Sequence, residues 1–325
     1  MSDIAVQGTN ADAAISKLSC VNAGYFEDEF LPIFVRTPVK RNPIINKGYH
    51  VRVQLMRRVI SRFIDLFHEP YVSCQIVVLG AGLDTNSLLE IKTRSNSVKF
   101  FEIDFSDAIL HKSRVISAHH SEFNFLGKPE DYALTYSADG DVAWCSPSLK
   151  LIGHDLRSGT EILEAKLALA GFDKTKPTLF LAECVLIYLE ISEGDRIMDW
   201  VNTSAVSAGV PSIFALYEQV NPRDPFGRMM IENMIARGCP LRGIVDSPVS
   251  LMDRFGRLGF VASRSELITH FDSLIKRKSP EIIDELEEYN LLQTHYAFTL
   301  GSRGDTRSVA YMSAVFDSND NTIIK

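Results

Sequence analysis

One stretch, Gln75-Ile-Val-Val-Leu-Gly-Ala-Gly-Leu-Asp-Thr85, restricts the possible folds more than any other part of the chain. Its β-branched apolar run has no polar alternation, as expected of a strand buried on both faces of a parallel sheet. The run stops at Gly80 and Gly82, which permit a tight turn and close approach of the backbone to a ligand. Asp84 or Thr85 can then cap a helix whose free N–H groups and dipole favour polar or anionic groups. A strand, glycine turn and helix in this order form a cradle for a nucleoside cofactor, without saying which one.

The same alternation continues downstream. Strands are predicted at Lys99–Asp104, Leu149–Leu156, Pro177–Glu183 and Ser212–Glu218, and helices at 84–94, 106–118, 159–170 and 192–207. Residues 121–148, broken by Gly127-Lys-Pro129 and Ser146-Pro147, read as irregular. Strand and helix in strict turn define a doubly wound, mostly parallel α/β sheet with right-handed crossovers. Three strands end at acids, Asp104, Asp155 and Glu183, and the carboxyl ends of such strands line the ligand crevice. Asp104 lies about 20 residues beyond the glycines, the spacing of a ribose-binding acid, although an N-cap for the next helix fits the spacing equally.

Composition narrows the class. The chain has 325 residues, 46% apolar content and a formal charge of −7, which suits a globular protein and argues against broad nucleic-acid or anionic-membrane binding. Five scattered cysteines without a Cys-x-x-Cys pair fit free thiols in a reducing compartment, and the eight histidines show no metal-ligand spacing. The polar first residues are not a signal peptide and no run is long enough to span a membrane, so a cytoplasmic protein is expected.

The chain reads as a single domain: an N-terminal helical cap (1–70), a cofactor-binding core (75–218), a lid and helical insertion (219–290), and C-terminal strands with a tail (291–325). Within the cap, residues 1–13 are expected to be frayed and a helix to run from Ala13 to Asn22. From Leu31 to Ile64 there is no acid, yet eight lysines and arginines occur, as either a solvated basic face or a contact for an acidic partner. A helix is predicted over Gly48–Phe67 with Arg52 at its start, able to reach a carboxylate. In the insertion, Phe226–Arg237 carries a methionine stripe that is either core or a flexible cover over a pocket. Helices are expected near 249–258 and 264–278, and an acidic helix ending at Asp284–Glu288. Two late strands, His295–Leu300 and Ser308–Met312, should close the sheet.

The glycine turn lacks a third glycine, because Thr85 stands where a pyrophosphate-binding motif needs one. S-adenosylmethionine has no pyrophosphate; it needs an acid for its ribose and oxygens facing its sulfonium, which acidic strand ends provide.

A family resemblance then becomes specific. Gly24-Tyr25, Asn46-Lys-Gly-Tyr-His-Val-Arg52, Leu79-Gly-Ala-Gly-Leu-Asp-Thr85, Phe101-Glu-Ile-Asp104, Asp155-Leu156, Ala182-Glu-Cys-Val-Leu-Ile-Tyr188, Tyr217-Glu-Gln-Val220, Phe226-Gly227, Ile231-Glu-Asn233 and Asp284-Glu-Leu-Glu-Glu288 follow one another in the order of the leucine carboxyl methyltransferases. These enzymes, which the chain resembles, methylate the C-terminal leucine carboxylate of the protein phosphatase 2A catalytic subunit and so regulate phosphatase holoenzyme assembly. The resemblance implies S-adenosylmethionine as cofactor, with Gly80 against it, Asp104 on its ribose, Asp155 and Leu156 flanking the adenine, and Glu183 near the methionine moiety. Arg52 would pair with the cofactor's carboxylate, and Lys17 would reach the same pocket. Tyr188 would hydrogen-bond the acceptor carboxylate or the sulfonium edge, or else pack; Arg52 and Lys17 would help hold that acceptor. The chain departs from the family at Pro225, where arginine is more common. No metal, nucleic acid or membrane is expected to take part, and the protein is expected to be monomeric. A small-molecule O-methyltransferase or a non-catalytic cofactor-binding protein on the same fold are the alternatives.

Overall fold

The computed structural model describes residues 3–67, 73–94, 97–136, 141–275 and 279–317. The predicted cap boundary near residue 70, the end of the helix expected to reach Lys278 and the tail beyond 317 lie outside these residues. In chain order the elements are α1 (Asp3–Asn22), α2 (Leu31–Phe34), α3 (Pro43–Phe67), β1 (Cys74–Leu79), α4 (Asn86–Arg94), β2 (Val98–Asp104), α5 (Ser106–Ala118), β3 (Ala133–Tyr136), β4 (Val142–Cys145) and β5 (Leu149–Gly153). They continue with α6 (Thr160–Leu169), β6 (Thr178–Glu183), α7 (Ile191–Thr203), β7 (Ser212–Gln219), α8 (Pro225–Ala236), α9 (Pro248–Arg257), β8 (Ala262–Leu267), α10 (Ile268–Leu274), α11 (Leu286–Gln293), β9 (Tyr296–Ser302) and α12 (Thr306–Phe316).

Among the described residues, nine strands share one sheet, in the order β3-β4-β5-β2-β1-β6-β7-β9-β8. The five strands foreseen from the apolar runs, β5, β2, β1, β6 and β7, are parallel neighbours. Their side chains alternate between two cores: Ile76 and Val78 face a cluster with residues of α1, α3, α4, α5 and α12, whereas Val77 and Leu79 face one with residues of α6, α7 and α9. Both faces are covered by helices, which is why β1 is apolar at successive positions from Ile76 to Leu79 without alternation.

Six expectations are corrected. Residues 3–13 are helical, not frayed, and α3 begins at Pro43, so Arg52 lies well inside that helix. The stretch read as irregular contains β3 and β4, an antiparallel pair that extends the sheet beyond β5. Arg264 lies in strand β8, not in a helix, and the helix expected to end at Glu288 instead begins at Leu286. Ser308–Met312 belongs to helix α12, so the antiparallel closing pair is β8 with β9, and β9 pairs with β7. Tyr311 explains the last change: its hydroxyl donates to the Val59 carbonyl at 2.8 Å and its ring meets Phe63 edge-on, which fastens α12 along α3.

Two buried polar networks anchor the glycine turn. Fully buried Lys112 of α5 donates to the Glu102 carboxylate and to the Asp84 carbonyl, each at 2.5 Å, and the Ser87 hydroxyl donates to the other Glu102 oxygen. On the α3 side, Asp28 accepts from Arg57 at 3.1 Å and from the Thr85 hydroxyl at 2.7 Å.

Candidate active site

Register alone brings the acidic strand ends together. Leu79 pairs with Ile103 on one side and Ala182 on the other, and Asp104 pairs with Gly153. The next residues outward, Gly80, Asp104, Asp155 and Glu183, therefore share the carboxyl edge of the sheet, at the point between β1 and β6 where the winding reverses. Such switch points leave a crevice. Here it is a cavity of about 280 Å³, and Lys17, Arg52, Gly80, Asp104, Asp155, Leu156, Glu183 and Tyr188 all line it.

The glycine turn is shaped by what passes over it. Gly80 (φ 65°) and Gly82 (φ 50°) both use left-handed backbone, and a Cβ on Gly80 would lie 2.5 Å from a Val185 methyl. A Cβ on Gly82 would run into Asn10, whose side-chain oxygen accepts from the Leu83 N–H at 2.7 Å. The first half of α1 thus lies across the turn and contributes Val6, Thr9, Asn10, Ala13 and Ala14 to the cavity wall.

Asp104 accepts from the Gly82 and Phe105 N–H groups, both at 2.7 Å. Helix α5 takes Phe105 as its N-cap with no side-chain cap, so the capping role left open for Asp104 is not used. Burial raises the Asp104 pKa, and the two backbone donors work against that rise. Asp155 is partly exposed; it accepts from the Arg157 N–H at 2.9 Å and pairs with the Arg157 guanidinium.

At the other end of the cavity two cations share one acid. Lys17 pairs with Asp84 at 2.6 Å and approaches Glu183 at 3.6 Å, and Arg52 Nε donates to the same Glu183 oxygen. Burial opposes the Lys17 charge, but Asp84 and Glu183 outweigh it and hold its pKa above the usual lysine value. The Arg52 guanidinium lies against the rings of Tyr49 and Tyr217, 5.3 and 5.1 Å from their centroids. Tyr188 is half-buried, with the Thr9 hydroxyl beside its phenol, and burial pushes its pKa well up, so the phenol stays neutral.

Cys184 turns the chain out of β6 in left-handed backbone (φ 56°), its N–H bonded to the Tyr217 carbonyl at 2.7 Å. The following turn, which carries Val185 and Tyr188 over the cavity, is held by Glu218. One oxygen of that buried carboxyl accepts from Val185 and Ile187 N–H groups at 3.2 and 3.3 Å. Burial pushes the Glu218 pKa up to about 8. An unfolded chain gives up this proton near pH 4.5, so native stability falls as pH rises from there to about 8. Glu218→Gln keeps the acceptor and removes the titration. Its melting temperature should gain on the parent between pH 6 and pH 8, and a gap independent of pH would show that Glu218 does not titrate in that window.

Sequence reasoning missed the contribution of the first half of α1, Tyr49, Gln219 and Tyr296 to the cavity wall, whereas Met234, from the methionine stripe read as either core or a cover over a pocket, does line it. The first half of α1 carried no usable signal, because its contacts are all distant in the chain. Gln219 and Tyr49 stood inside recognisable blocks but were given no role.

A family model for leucine carboxyl methyltransferases matches residues 5–202. The chain belongs to the leucine carboxyl methyltransferase family. Among curated proteins it is 34% identical over 304 residues to the leucine carboxyl methyltransferase 1 homolog of Arabidopsis thaliana, covering 91% of this chain and 88% of that one. It is 32% identical over 317 residues to leucine carboxyl methyltransferase 1 of Bos taurus, covering 93% and 91%. The human tRNA wybutosine-synthesizing protein 4 is also 32% identical over 317 residues; that match covers 94% of this chain but 45% of the longer protein. Among solved structures, a putative methyltransferase from Thermobifida fusca superposes with a TM-score of 0.53 at 14% identity, covering 84% of this chain and 93% of that one. That likeness agrees with the methyltransferase type of sheet. Among the described residues no helix is long and apolar enough to cross a membrane.

Proposed function

We propose that this protein transfers a methyl group from S-adenosylmethionine to the C-terminal leucine α-carboxylate of the protein phosphatase 2A catalytic subunit, as a cytoplasmic monomer. Family membership supports the carboxyl chemistry, and one observation carries the reading: Arg52 and Lys17 converge on Glu183 in a tyrosine-walled cavity beside the glycine turn. The residues present fit the cofactor. Two glycines leave no room for side chains beneath Val185 and Asn10, and Asp104 offers a carboxylate where ribose hydroxyls need an acceptor. Gly80, Asp104, Asp155, Leu156 and Glu183 would hold it, with Arg52 and Lys17 on its carboxylate.

When bound, S-adenosylmethionine supplies an electrophilic methyl group on a sulfonium. The chain's own residues then have to orient and desolvate. A peptide α-carboxylate is already ionised at neutral pH, since its pKa is roughly 3.5, so it needs no base. Besides pairing with the cofactor's carboxylate, Arg52 and Lys17 help position the acceptor's carboxylate while Glu183 tempers their charge, because a tighter clamp would stabilise the ground state as much as the transition state. Neutral Tyr188 offers a donor at the acceptor end, and α1 excludes water. The rate gain in such a site comes from orientation and desolvation.

The test is methyl incorporation into the phosphatase with and without its terminal leucine. An alkali-labile ester that requires the leucine is expected. Transfer only to phenols or small acids would instead establish the small-molecule reading. Thermal stabilisation by the cofactor with no turnover on any acceptor would make the protein a binder. The match to the wybutosine protein supports a second reading, in which labelled methyl appears in tRNA; the charge of −7 weighs against it.

A further inference from the structure

The acid-free stretch Leu31–Ile64 supplies more cations than the cavity floor uses. Arg52 and Arg57 are absorbed by Glu183 and Asp28. Arg41, on the loop before α3, has a different position: its Nη2 reaches one Asp12 oxygen at 3.2 Å, and Arg237, just past α8, reaches the other at 2.5 Å. Asp12 and Arg237 both line the cavity, and their side chains are 42% and 61% exposed, so they stand where the cavity opens to solvent. Lys40, beside Arg41, is exposed as well. Asp12 lies one turn along α1 from Thr9, which sits beside Tyr188, and Arg237 lies one turn beyond Met234, another wall residue. This opening therefore serves the acceptor end, whereas Asp155 and Arg157 border the opposite one.

Two guanidinium groups on one carboxylate leave the rim with net positive charge, in a chain whose overall charge of −7 would otherwise repel an acidic ligand. Exposed ion pairs of this kind contribute little to stability, so the arginines can exchange partners at small cost. Their planar, forked donors suit a carboxylate in particular. With the reacting carboxylate held at Arg52 and Lys17, the rest of the acceptor has to leave across this rim.

We propose that Arg41 and Arg237 bind an acidic side chain of the acceptor polypeptide near its C-terminus, which takes the place Asp12 occupies between them. This rests on the acceptor being a polypeptide carboxylate. Because Asp12 belongs to α1, the exchange also releases that flank of the helix as the acceptor enters.

The test uses leucine-terminated peptides in which one aspartate is walked back from the terminus, each matched by the same peptide with asparagine. KM is read from methyl transfer and Kd from fluorescence anisotropy in the presence of S-adenosylhomocysteine. At the best position the acidic peptide should be favoured on the order of ten-fold in both measures, and the preference should shrink in high salt. In Arg237→Ala and, independently, Arg41→Ala, the ratio of acidic to neutral peptide should fall towards one. Asp12→Asn, which removes the internal competitor, should raise affinity for the acidic peptide more than for the neutral one. No preference in the parent protein, or a preference that survives both arginine substitutions, would overturn the proposal. If no peptide or phosphatase is methylated or bound, the acceptor reading itself has failed, a result distinct from methylation without discrimination.

Discussion

Lys112→Ala should cost about 3–5 kcal/mol of folding stability, because it strands a buried carboxylate. Lys112 and Glu102 have side chains 0% and 1% exposed, so bulk solvent does not take the place of the missing partner. The same ammonium holds the Asp84 carbonyl at 2.5 Å, so the start of α4 also loses an anchor. For a chain of this size the melting temperature should drop on the order of 10 °C. Burial already raises the Glu102 pKa, with Lys112 opposing the rise. Without Lys112 the acid is kept protonated in the native state, and the variant should be least stable at alkaline pH, where the unfolded chain is free to ionise. Glu102→Leu combined with Lys112→Met should recover most of the loss, since an apolar pair of similar volume avoids the desolvation cost. A single variant that melts like the parent at pH 8 would mean that Glu102 finds another partner. Failure of the double variant would locate the cost in packing instead of charge.

Arg52→Ala should have the largest effect on activity, with cofactor affinity and kcat/KM each falling roughly 100-fold or more. Two losses combine. The proposed pairing with the cofactor's carboxylate disappears, and charge-assisted hydrogen bonds of this kind are worth about 1.5–3 kcal/mol. Glu183, whose side chain is 10% exposed, is left with Lys17 alone at 3.6 Å. Arg52→Lys should recover little, because an ammonium cannot both bond Glu183 and lie against the rings of Tyr49 and Tyr217. Calorimetric titration with S-adenosylmethionine, accompanied by a melting curve to show that α3 is intact, separates binding from folding. Native affinity in Arg52→Ala would remove Arg52 from the cofactor site. Asp104→Ala should lose affinity as well, since the Gly82 and Phe105 donors are left without an acceptor.

The elements legible in advance were those whose burial is written into consecutive residues. β1, β6 and β7 are sandwiched between helices, so Ile76–Leu79, Leu179–Ala182 and Ile213–Tyr217 are runs of apolar and aromatic residues without alternation. β8 carries Arg264, Ser265 and Glu266 and is a strand because β9 supplies its partner; its own residues state no preference. Ser308–Met312 is too short to separate a period of two from one of 3.6. Only with Val315 and Phe316 does the buried set fit a helix, and only α3 says where that helix lies. Pro225, the departure from the family pattern, occupies the first position of α8 beside its Asp224 cap, where a missing N–H costs nothing.

The sequence by itself determined the parallel core, the glycine turn and the acids Asp104 and Glu183 at two strand ends, with Asp155 falling just past the end of β5 instead of closing it. Because parallel strands stay in step, acids that end neighbouring strands must share one edge. It also named Lys17, Arg52 and Tyr188 through family likeness, though not their partners. Tertiary structure alone decided that Arg52 and Lys17 meet on Glu183, that Glu218 holds the turn over Gly80, and that α1 closes the cavity. Those arrangements rest on contacts such as Asn10 with Leu83, Ala5 with Cys239 and Asp12 with Arg237, up to 234 residues apart in the chain. No local pattern encodes them, because each partner satisfies its local structure equally well without the other.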